Sequence, residues 1–161
     1  MLSQIDFNFV LRRAPALQFY VQRINLPGLY SQAVMQPTTV ASIARNFDKV
    51  LFKPLEVTFK IDEKLQNYLE IHNWIKAIGS PRDTKGYANL VSRTTPKDYG
   101  VYSDISVFVV DSNRNPKFSI NYSGAFPTSL SDVYFETDAS DVQYITATAT
   151  FEYTVYDIEI L

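Results

Sequence analysis

An alternating pattern near the end of the chain is the sequence feature that most constrains the fold. Over residues 145–156, apolar or aromatic side chains alternate with residues that are mostly threonine. A period of two is that of a β-strand, so the pattern predicts one strand with a buried face. This strand would be twice the usual length of about six residues. Its other face is weakly charged, and in a free monomer such a face or edge invites pairing with another chain.

The chain begins with two shorter strand signals. Residues 6–13 fit a short strand or arm, and residues 17–24 fit a clearer strand whose odd-numbered residues share one face. Pro27 and Gly28 then end the strand, because proline lacks an N–H donor and glycine tolerates positive φ.

The next part of the chain is harder to assign. Residues 29–49 are polar and poorly patterned, so an extended hairpin and an ordinary surface loop both remain open. Within them, residues 38–40 fit part of a strand. Residues 55–61 follow as the cleanest alternation of the first half, which predicts a strand with one face on a core and the other on water or a partner.

The period changes after residue 61. Asp62 is a good N-cap residue, and Glu63 would lie in the positive first turn of a helix. Gly79 suits the position after a helix, and Pro81 prevents its continuation. We therefore predict a helix over residues 63–78 with a wide apolar stripe. The stripe consists of Leu65, Tyr68, Leu69, Ile71, His72, Trp74, Ile75 and Ile78.

The second half returns to strands after a segment at residues 80–102 that is rich in proline, glycine and charge and is predicted to be irregular. Residues 105–110 and 118–122 alternate on either side of a turn composition, so they predict a β-hairpin. Beyond the hairpin we expect an interruption of the sheet, a further strand and a turn, at residues 124–128, 133–137 and 139–141.

Composition limits the function classes. The chain has 161 residues, the size of one ordinary domain, so we expect a single domain over residues 1–161. The net charge is −2 and the basic residues are spread along the chain, which argues against a protein that grips nucleic-acid phosphates. The absence of cysteine excludes disulfides and thiolate metal sites. The chain starts unlike a signal peptide and has no apolar run near the roughly 20 residues that span a bilayer, so no membrane contact is expected.

Candidate catalytic and metal-binding residues are few. The single histidine, His72, lies on the apolar side of the predicted helix, without a second histidine or a cysteine to help hold zinc. Asp62 and Glu63 are adjacent carboxylates, but helix capping accounts for both. Calcium-loop, P-loop, dinucleotide-binding and nucleophile-elbow motifs are absent. These observations predict a protein that is not an enzyme and holds no cofactor or metal.

Several segments taken together resemble the tail-tube fold of contractile bacteriophage tails. The first is a strand that ends in a Leu-Pro-Gly break at Pro27 and Gly28. The second runs from the strand at residues 54–61 through the acidic helix start at Asp62 to Trp74, late in the helix. It resembles the tube protein of T4-like phages, and still more the tube-like domains of the baseplate proteins on which that tube is nucleated.

Two further segments extend the resemblance to most of the chain. Gly124, Pro127 and Leu130 match the family's Gly-x-x-Pro-x-x-apolar crossing, and residues 142–156 match its terminal strand. The similarity covers about residues 17–157. Each motif is weak alone, and the specificity comes from their order and spacing.

The resemblance implies a β-rich α+β fold: a twisted antiparallel β-sandwich or barrel with one flanking helix. Six copies would form a ring whose sheets continue into an inner barrel around a channel. Residues 29–49 would reach a neighbouring subunit, and residues 80–102 are a second interface candidate. The family motif assigns structural roles to Pro27, Gly28, Asp62, Trp74, Gly124 and Pro127.

The function implied is that of a structural virion protein that forms a ring of the tail tube or of the baseplate ring that initiates the tube. Its partners would be further copies and other tail tube, baseplate and sheath proteins, and DNA would pass through the channel without specific binding. The expected location is the virion tail, after assembly in the host cytoplasm.

Two alternatives stay open. The larger baseplate proteins carry long additional segments that this chain lacks, so a tube-end protein (terminator or connector) is an alternative role. A stand-alone β-sandwich binding module is the other, although its aromatic residues would cluster on one patch, and here they are distributed along the strands.

Overall fold

A computed structural model describes residues 6–46, 49–79, 85–92, 100–111, 114–135 and 144–161. The first strands are β1 (Phe7–Leu11), β2 (Val21–Ile24), β3 (Leu29–Tyr30), β4 (Val34–Pro37), β5 (Ser42–Arg45), β6 (Leu51–Phe52) and β7 (Leu55–Lys60). Two helices follow, α1 (Gln66–Ile78) and α2 (Lys85–Ser92). The remaining strands are β8 (Ser103–Val110), β9 (Pro116–Leu130), β10 (Thr146–Glu152) and β11 (Val155–Ile160).

The main sheet is antiparallel and has the strand order β1-β8-β9-β10-β7-β2, with β11 also paired to β9. β9 belongs to two halves of this sheet: its first part pairs β8 and β11, and its second part pairs β10. Apolar residues of both halves join one buried cluster with α1. The predicted β-rich sandwich with a flanking helix is therefore confirmed, but the described strands do not close into a barrel.

The corner between the two halves lies at Gly124. Its φ is +66°, a conformation that favours glycine, and a β-carbon placed there would lie 2.9 Å from Thr154 Oγ1. Buried residues change phase across this corner, from Ile120 and Tyr122 to Ala125 and Pro127. The predicted interruption at residues 124–128 is therefore wrong, because glycine lets the strand bend and stay paired.

The C-terminal pattern divides at the same corner. The predicted single strand over residues 145–156 is two strands, β10 and β11, separated at Thr154, whose N–H donates to Ser123 O. Ala147, Ala149 and Phe151 face the core as expected. Val155 does not, because the bend shifts the inward positions by one residue.

α1 begins three residues later than predicted, and Asp62 is not its N-cap. Leu65 occupies that position with φ +58° and no side-chain capping bond. The side-chain hydrogen bonds at the start of the helix are made by Asn67, which is fully buried. Its Nδ2 donates to Lys60 O, and its Oδ1 accepts from the backbone N–H groups of Asp62 and Tyr68. One amide thus satisfies both the end of β7 and the start of the helix.

The core side of α1 is narrower than its apolar stripe. Ile71 and Trp74 are buried, whereas Leu69 is exposed. The Trp74 ring packs 6.3 Å from that of Phe151, and its Nε1 donates to Val101 O at 3.0 Å. At the other end of α1, Gly79 follows the last helical residue as predicted, and its N–H donates to Ile75 O.

Three further expectations differ from the structure. Residues 17–24 hold a 3-10 turn at Leu17–Phe19 before β2, so Leu17 is buried while Phe19 is 76% exposed. The segment 80–102, predicted to be irregular, contains α2, which packs on α1 where Gly86 approaches Ala77. The described part of the predicted strand 133–137 is not a strand, and the predicted turn at 139–141 lies outside the described residues.

Candidate assembly surface

A long hairpin projects from the main sheet between β2 and β7. It comprises residues 28–53, and we call it the arm. Near the body, β3 pairs β6 in the register Leu29↔Phe52, and farther out β4 pairs β5 from Val34↔Arg45 to Pro37↔Ser42. Of the two interpretations of residues 29–49, the extended hairpin is therefore confirmed.

The outer part of the arm, residues 34–45, has no core of its own, and we call it the outer arm. Every residue of β4 and β5 is exposed, and among the described strands these two pair only with each other. The hairpin closes by a turn in which Thr38 N–H donates to Ala41 O, so residues 38–40 are not a strand as predicted. Arg45 Nε donates to Gln36 Oε1 at 2.8 Å across the arm. The exposed apolar residues of the outer arm are Val34, Met35, Val40 and Ile43.

The root of the arm contacts an aromatic cluster of the body. Tyr153 Oη donates to Lys53 O at 2.8 Å, and Tyr156 Oη donates to Pro27 O at 3.1 Å. The ring of Phe52, at the end of β6, lies 5.8 Å from that of Tyr153 and 5.6 Å from that of Tyr156. We call Phe52, Tyr122, Tyr153 and Tyr156 the root cluster.

Tyr122 differs from the other tyrosines of the root cluster. Its ring packs 5.0 Å from Tyr153 and 5.5 Å from Tyr156, but its buried hydroxyl has no hydrogen-bond partner among the described residues. Burial raises the pKa of Tyr122 well above its usual value, and the neighbouring tyrosines add to the shift. Burial also raises the pKa of Tyr153, to about 12.

Open strand edges add a second feature that suits assembly. Among the described strands, β1, β2 and β11 each pair on one side only, which leaves backbone donors and acceptors for another chain. β11 also carries two exposed apolar side chains, Ile158 and Ile160, which alternate with acidic residues. A sheet that stays open in the single chain can therefore be extended by a neighbour.

The end of the main sheet opposite the arm is rich in exposed aromatic residues. Here β7 ends at Lys60, whose Nζ lies 4.1 Å from the ring centroid of Tyr144, and Tyr20 Oη donates to Asp62 at 3.4 Å. The two ends lie about 20 Å apart, because six residues of β7 rise about 3.3 Å each. The exposed aromatic residues placed at this end are Tyr144, Tyr20 and its chain neighbour Phe19.

Comparison with known proteins identifies the family. A family model described as phage tail tube protein matches residues 3–159 of this chain. The chain belongs to the phage tail tube protein family. A member of this family is a structural protein of the virion tail, so the resemblance seen in the sequence is confirmed.

Individual relatives of this tail tube family member are distant. The tail tube terminator protein of Enterobacteria phage T4 is 24% identical over 148 residues, which cover 89% of this chain and 79% of the T4 protein. In a sheath/tube terminator structure of the PVC extracellular contractile injection system, a chain gives a TM-score of 0.61 at 10% identity, covering 99% of this chain and 96% of its own length. A chain from the anti-feeding prophage baseplate gives 0.60 at 14% identity, covering 98% and 95%. These structures share the fold.

The structure separates the six residues of the family motif into three regions. Pro27 and Gly28 lie at the arm root, where Pro27 is buried and Gly28 O accepts from Lys53 N–H. Gly124 forms the corner next to the root cluster. The others are Asp62 at the opposite end of the sheet, Trp74 in the core and Pro127, which is buried and pairs with Phe151. Their specific roles in the family remain predictions.

Metal-ligating side chains do not cluster in the described residues. These residues contain no group of three or more histidine, cysteine or acidic side chains that could hold a metal ion. His72 stacks on Tyr68 at 6.3 Å and is exposed. In the part of the chain that is described, no helix is both long and apolar enough to cross a membrane.

One cleft of about 280 Å³ lies between α1 and α2. The Arg13 guanidinium sits 5.3 Å from the Trp74 ring centroid, and Glu70 accepts from Ala16 N–H at 3.2 Å. Burial raises the pKa of Glu70, partly offset by that hydrogen bond. The charged groups at this cleft therefore already have partners within the fold.

Proposed function

We propose that this chain is the tube terminator of a contractile phage tail, a ring of six copies that closes the tube at one end. The observation that carries the proposal is the similarity to the T4 tail tube terminator over 89% of the chain. The proposal favours the tube-end alternative over the tube subunit and the baseplate initiator. The chain acts as one domain over residues 1–161, and its role is not enzymatic.

Assembly would use the surfaces that the single chain leaves open. Open edges at β1, β2 and β11 can pair with neighbouring chains, since closing a ring of sheets removes edges. The arm would lie on an adjacent subunit, and this contact would cover the exposed apolar residues of the arm. The partners are copies of this chain together with tube and sheath proteins. DNA passes through the channel without specific binding, consistent with the net charge of −2.

Gold labelling of intact tails tests the position of this protein. A tagged copy supplied in a host infected with phage lacking its own copy should carry gold at the tail end distal to the baseplate. Label along the whole tube would instead show a tube subunit, and label at the baseplate end an initiator. Monomers that never join tails would contradict all three roles and favour a stand-alone binding module.

Deletion of residues 32–46 tests the role of the arm. These residues include β4 and β5, which pair only with each other among the described strands, so the shortened chain should keep its fold and lose incorporation into tails. Two variants then separate surface chemistry from length. Val34→Asn with Met35→Asn should weaken incorporation, whereas Leu69→Asn, the same apolar-to-polar change at an exposed position of α1, should not. Normal incorporation of the deletion variant would refute the arm's role.

A further inference from the structure

The arm's direction must be set at its root. Every residue of β4 and β5 is exposed, so packing of these strands against the described residues of the body does not hold the outer arm at one angle. At the base, the hydrogen bond from Lys53 N–H to Gly28 O joins the two strands of the arm to each other. Such a bond holds the hairpin together but does not orient it relative to the sheet. Contacts between the root and the body must do so.

Two tyrosines of the body make hydrogen bonds to the root, one to the strand that enters the arm and one to the strand that leaves it. Tyr156 binds the carbonyl of Pro27, immediately before the arm, and Tyr153 binds the carbonyl of Lys53, its last residue. One attachment would leave the hairpin free to pivot about a single point. A second attachment, on the other strand of the hairpin, removes most of this freedom and leaves only rotation about the line that joins the two points.

The bend at Thr154 brings these two hydroxyls together. Residues three positions apart in a regular strand point to opposite faces of the sheet. Tyr153 and Tyr156 nevertheless point to the same side, with ring centroids 5.9 Å apart, because the chain shifts phase between β10 and β11. The close approach of Thr154 to Gly124 fixes the site of this bend. The sheet corner and the arm root are therefore one structural unit.

We propose that Tyr153 and Tyr156 are positioning residues that hold the arm at the angle required for insertion against a neighbouring subunit. This inference rests on the proposed role of the arm in assembly. Tyr122 supports both rings by packing and makes no hydrogen bond to the root among the described residues. The geometry thus assigns orientation to two hydroxyls and packing to the third ring.

Replacing each tyrosine with phenylalanine tests the proposal, because it removes the hydroxyl and keeps the ring. The variants are Tyr153→Phe, Tyr156→Phe and the double variant, with Tyr68→Phe on α1 as a matched control. Hydrogen exchange of the Lys53 amide and of the arm amides in the isolated protein reports the looseness of the root. Incorporation into tails reports assembly, and the melting temperature reports the body.

We expect hydrogen exchange at the root to rise about five-fold in each single variant, because the net contribution of one hydrogen bond corresponds to about a five-fold change. The double variant loses two such bonds, so its exchange should rise about 25-fold. Incorporation of the double variant should fall by roughly ten-fold or more. Tyr68→Phe should change neither quantity, and Tyr122→Phe should leave root exchange unchanged. A merely structural role would lower the melting temperature without this selective loosening.

The outcomes separate the positioning role of the two tyrosines from the proposed function. Unchanged root exchange in the double variant would overturn the positioning role, whatever happens to assembly. Loosened roots with normal incorporation would show that the arm angle is not needed, which also overturns it. If deleting the arm leaves incorporation intact while root exchange still responds to the tyrosines, the proposed arm function fails and the attachment itself stands.

Discussion

The body and the arm of this protein are held in place by different physical means. In the body, both halves of the sheet and α1 bury their apolar residues in one cluster, which supplies the main stabilisation of a fold. In the arm, the strands are exposed on both faces, and order comes from cross-strand hydrogen bonds and the attachment at the root. This division suits the assembly role that we propose for the chain. The stable part is complete in the monomer, and the part that meets a partner is not.

The threonine face of β10 shows how the body limits unwanted pairing. Thr58 Oγ1 and Thr148 Oγ1 lie 3.1 Å apart across β7 and β10, and Thr148 N–H donates to Ser131 Oγ. The weakly charged face that suggested pairing between chains is thus partly satisfied within the chain. The incomplete surfaces are the edges and the arm.

The largest test of the comparison sets a body residue against an arm residue. Phe151→Ala should lower the free energy of unfolding by about 3–5 kcal/mol, because it empties a fully buried site. Ile43→Ala, on the exposed arm, should change it by less than about 0.5 kcal/mol. Urea unfolding measures both. Comparable losses at the two sites would mean that the arm is part of the cooperative unit.

Asn67 provides the next largest effect. Asn67→Ala removes three hydrogen bonds from a fully buried side chain and leaves backbone groups at the β7–α1 junction unpaired, so we expect a loss of about 2–4 kcal/mol. Asn67→Asp keeps the acceptor but replaces the donor to Lys60 O with a carboxylate oxygen, and it should also destabilise. Chemical denaturation of both variants checks this. An alanine variant as stable as the wild type would show that water replaces the amide.

The corner at Gly124 joins the two regions and should respond more strongly than an ordinary left-handed glycine. Gly124→Ala should cost about 2 kcal/mol, from its positive φ together with the contact to Thr154. The control is Gly100→Ala. Gly100 has a similar φ of +63°, but among the described residues no atom lies closer than 3.8 Å to a β-carbon placed there, so the change should cost about 1 kcal/mol. Combining Gly124→Ala with Thr154→Ala should recover the difference. Equal losses at both glycines would remove the steric part of this explanation.

A smaller change, an increase in stability, is expected when Tyr122 is replaced. Its buried hydroxyl lacks a partner among the described residues, so Tyr122→Phe should raise the free energy of unfolding by about 1 kcal/mol. Tyr153→Phe removes a hydroxyl that is bonded and should lower stability or leave it unchanged. Thermal unfolding at neutral pH compares the two. A destabilised Tyr122→Phe variant would indicate a partner that the described residues do not provide.

The last predicted effect is a loss of stability that is absent at neutral pH and grows under alkaline conditions. The folded state raises the pKa of Tyr122 and Tyr153 above the ordinary value of 10.0, so above that pH the unfolded chain binds fewer protons than the folded one. Stability should be fully present below pH 10 and should fall from there toward pH 12. The Tyr122→Phe variant should show a shallower fall in unfolding free energy over this window. A slope equal to that of the wild type would place the alkaline sensitivity elsewhere.

The sequence foresaw the regular parts of the fold well. The alternation over residues 55–61 became β7, and the turn composition near residue 114 joined β8 to β9 as a hairpin. The apolar stripe located α1, although its N-terminus was misplaced because Asp62 has the ordinary signature of a cap. α2 was missed because the helix has only eight residues and lies in a segment of loop-like composition.

By itself, the sequence determined the period of each strand and helix and the family to which the chain belongs. Those properties are local, since a repeat of two or of three to four residues depends only on neighbours in the chain. Only the tertiary structure decided where β9, β10 and β11 bend, because the bend depends on Gly124 meeting Thr154 from a distant segment. It also decided that two tyrosines from an apparently continuous strand face the same way and hold the arm. Nothing local distinguishes a tyrosine that packs from one that binds a carbonyl 100 residues away along the chain.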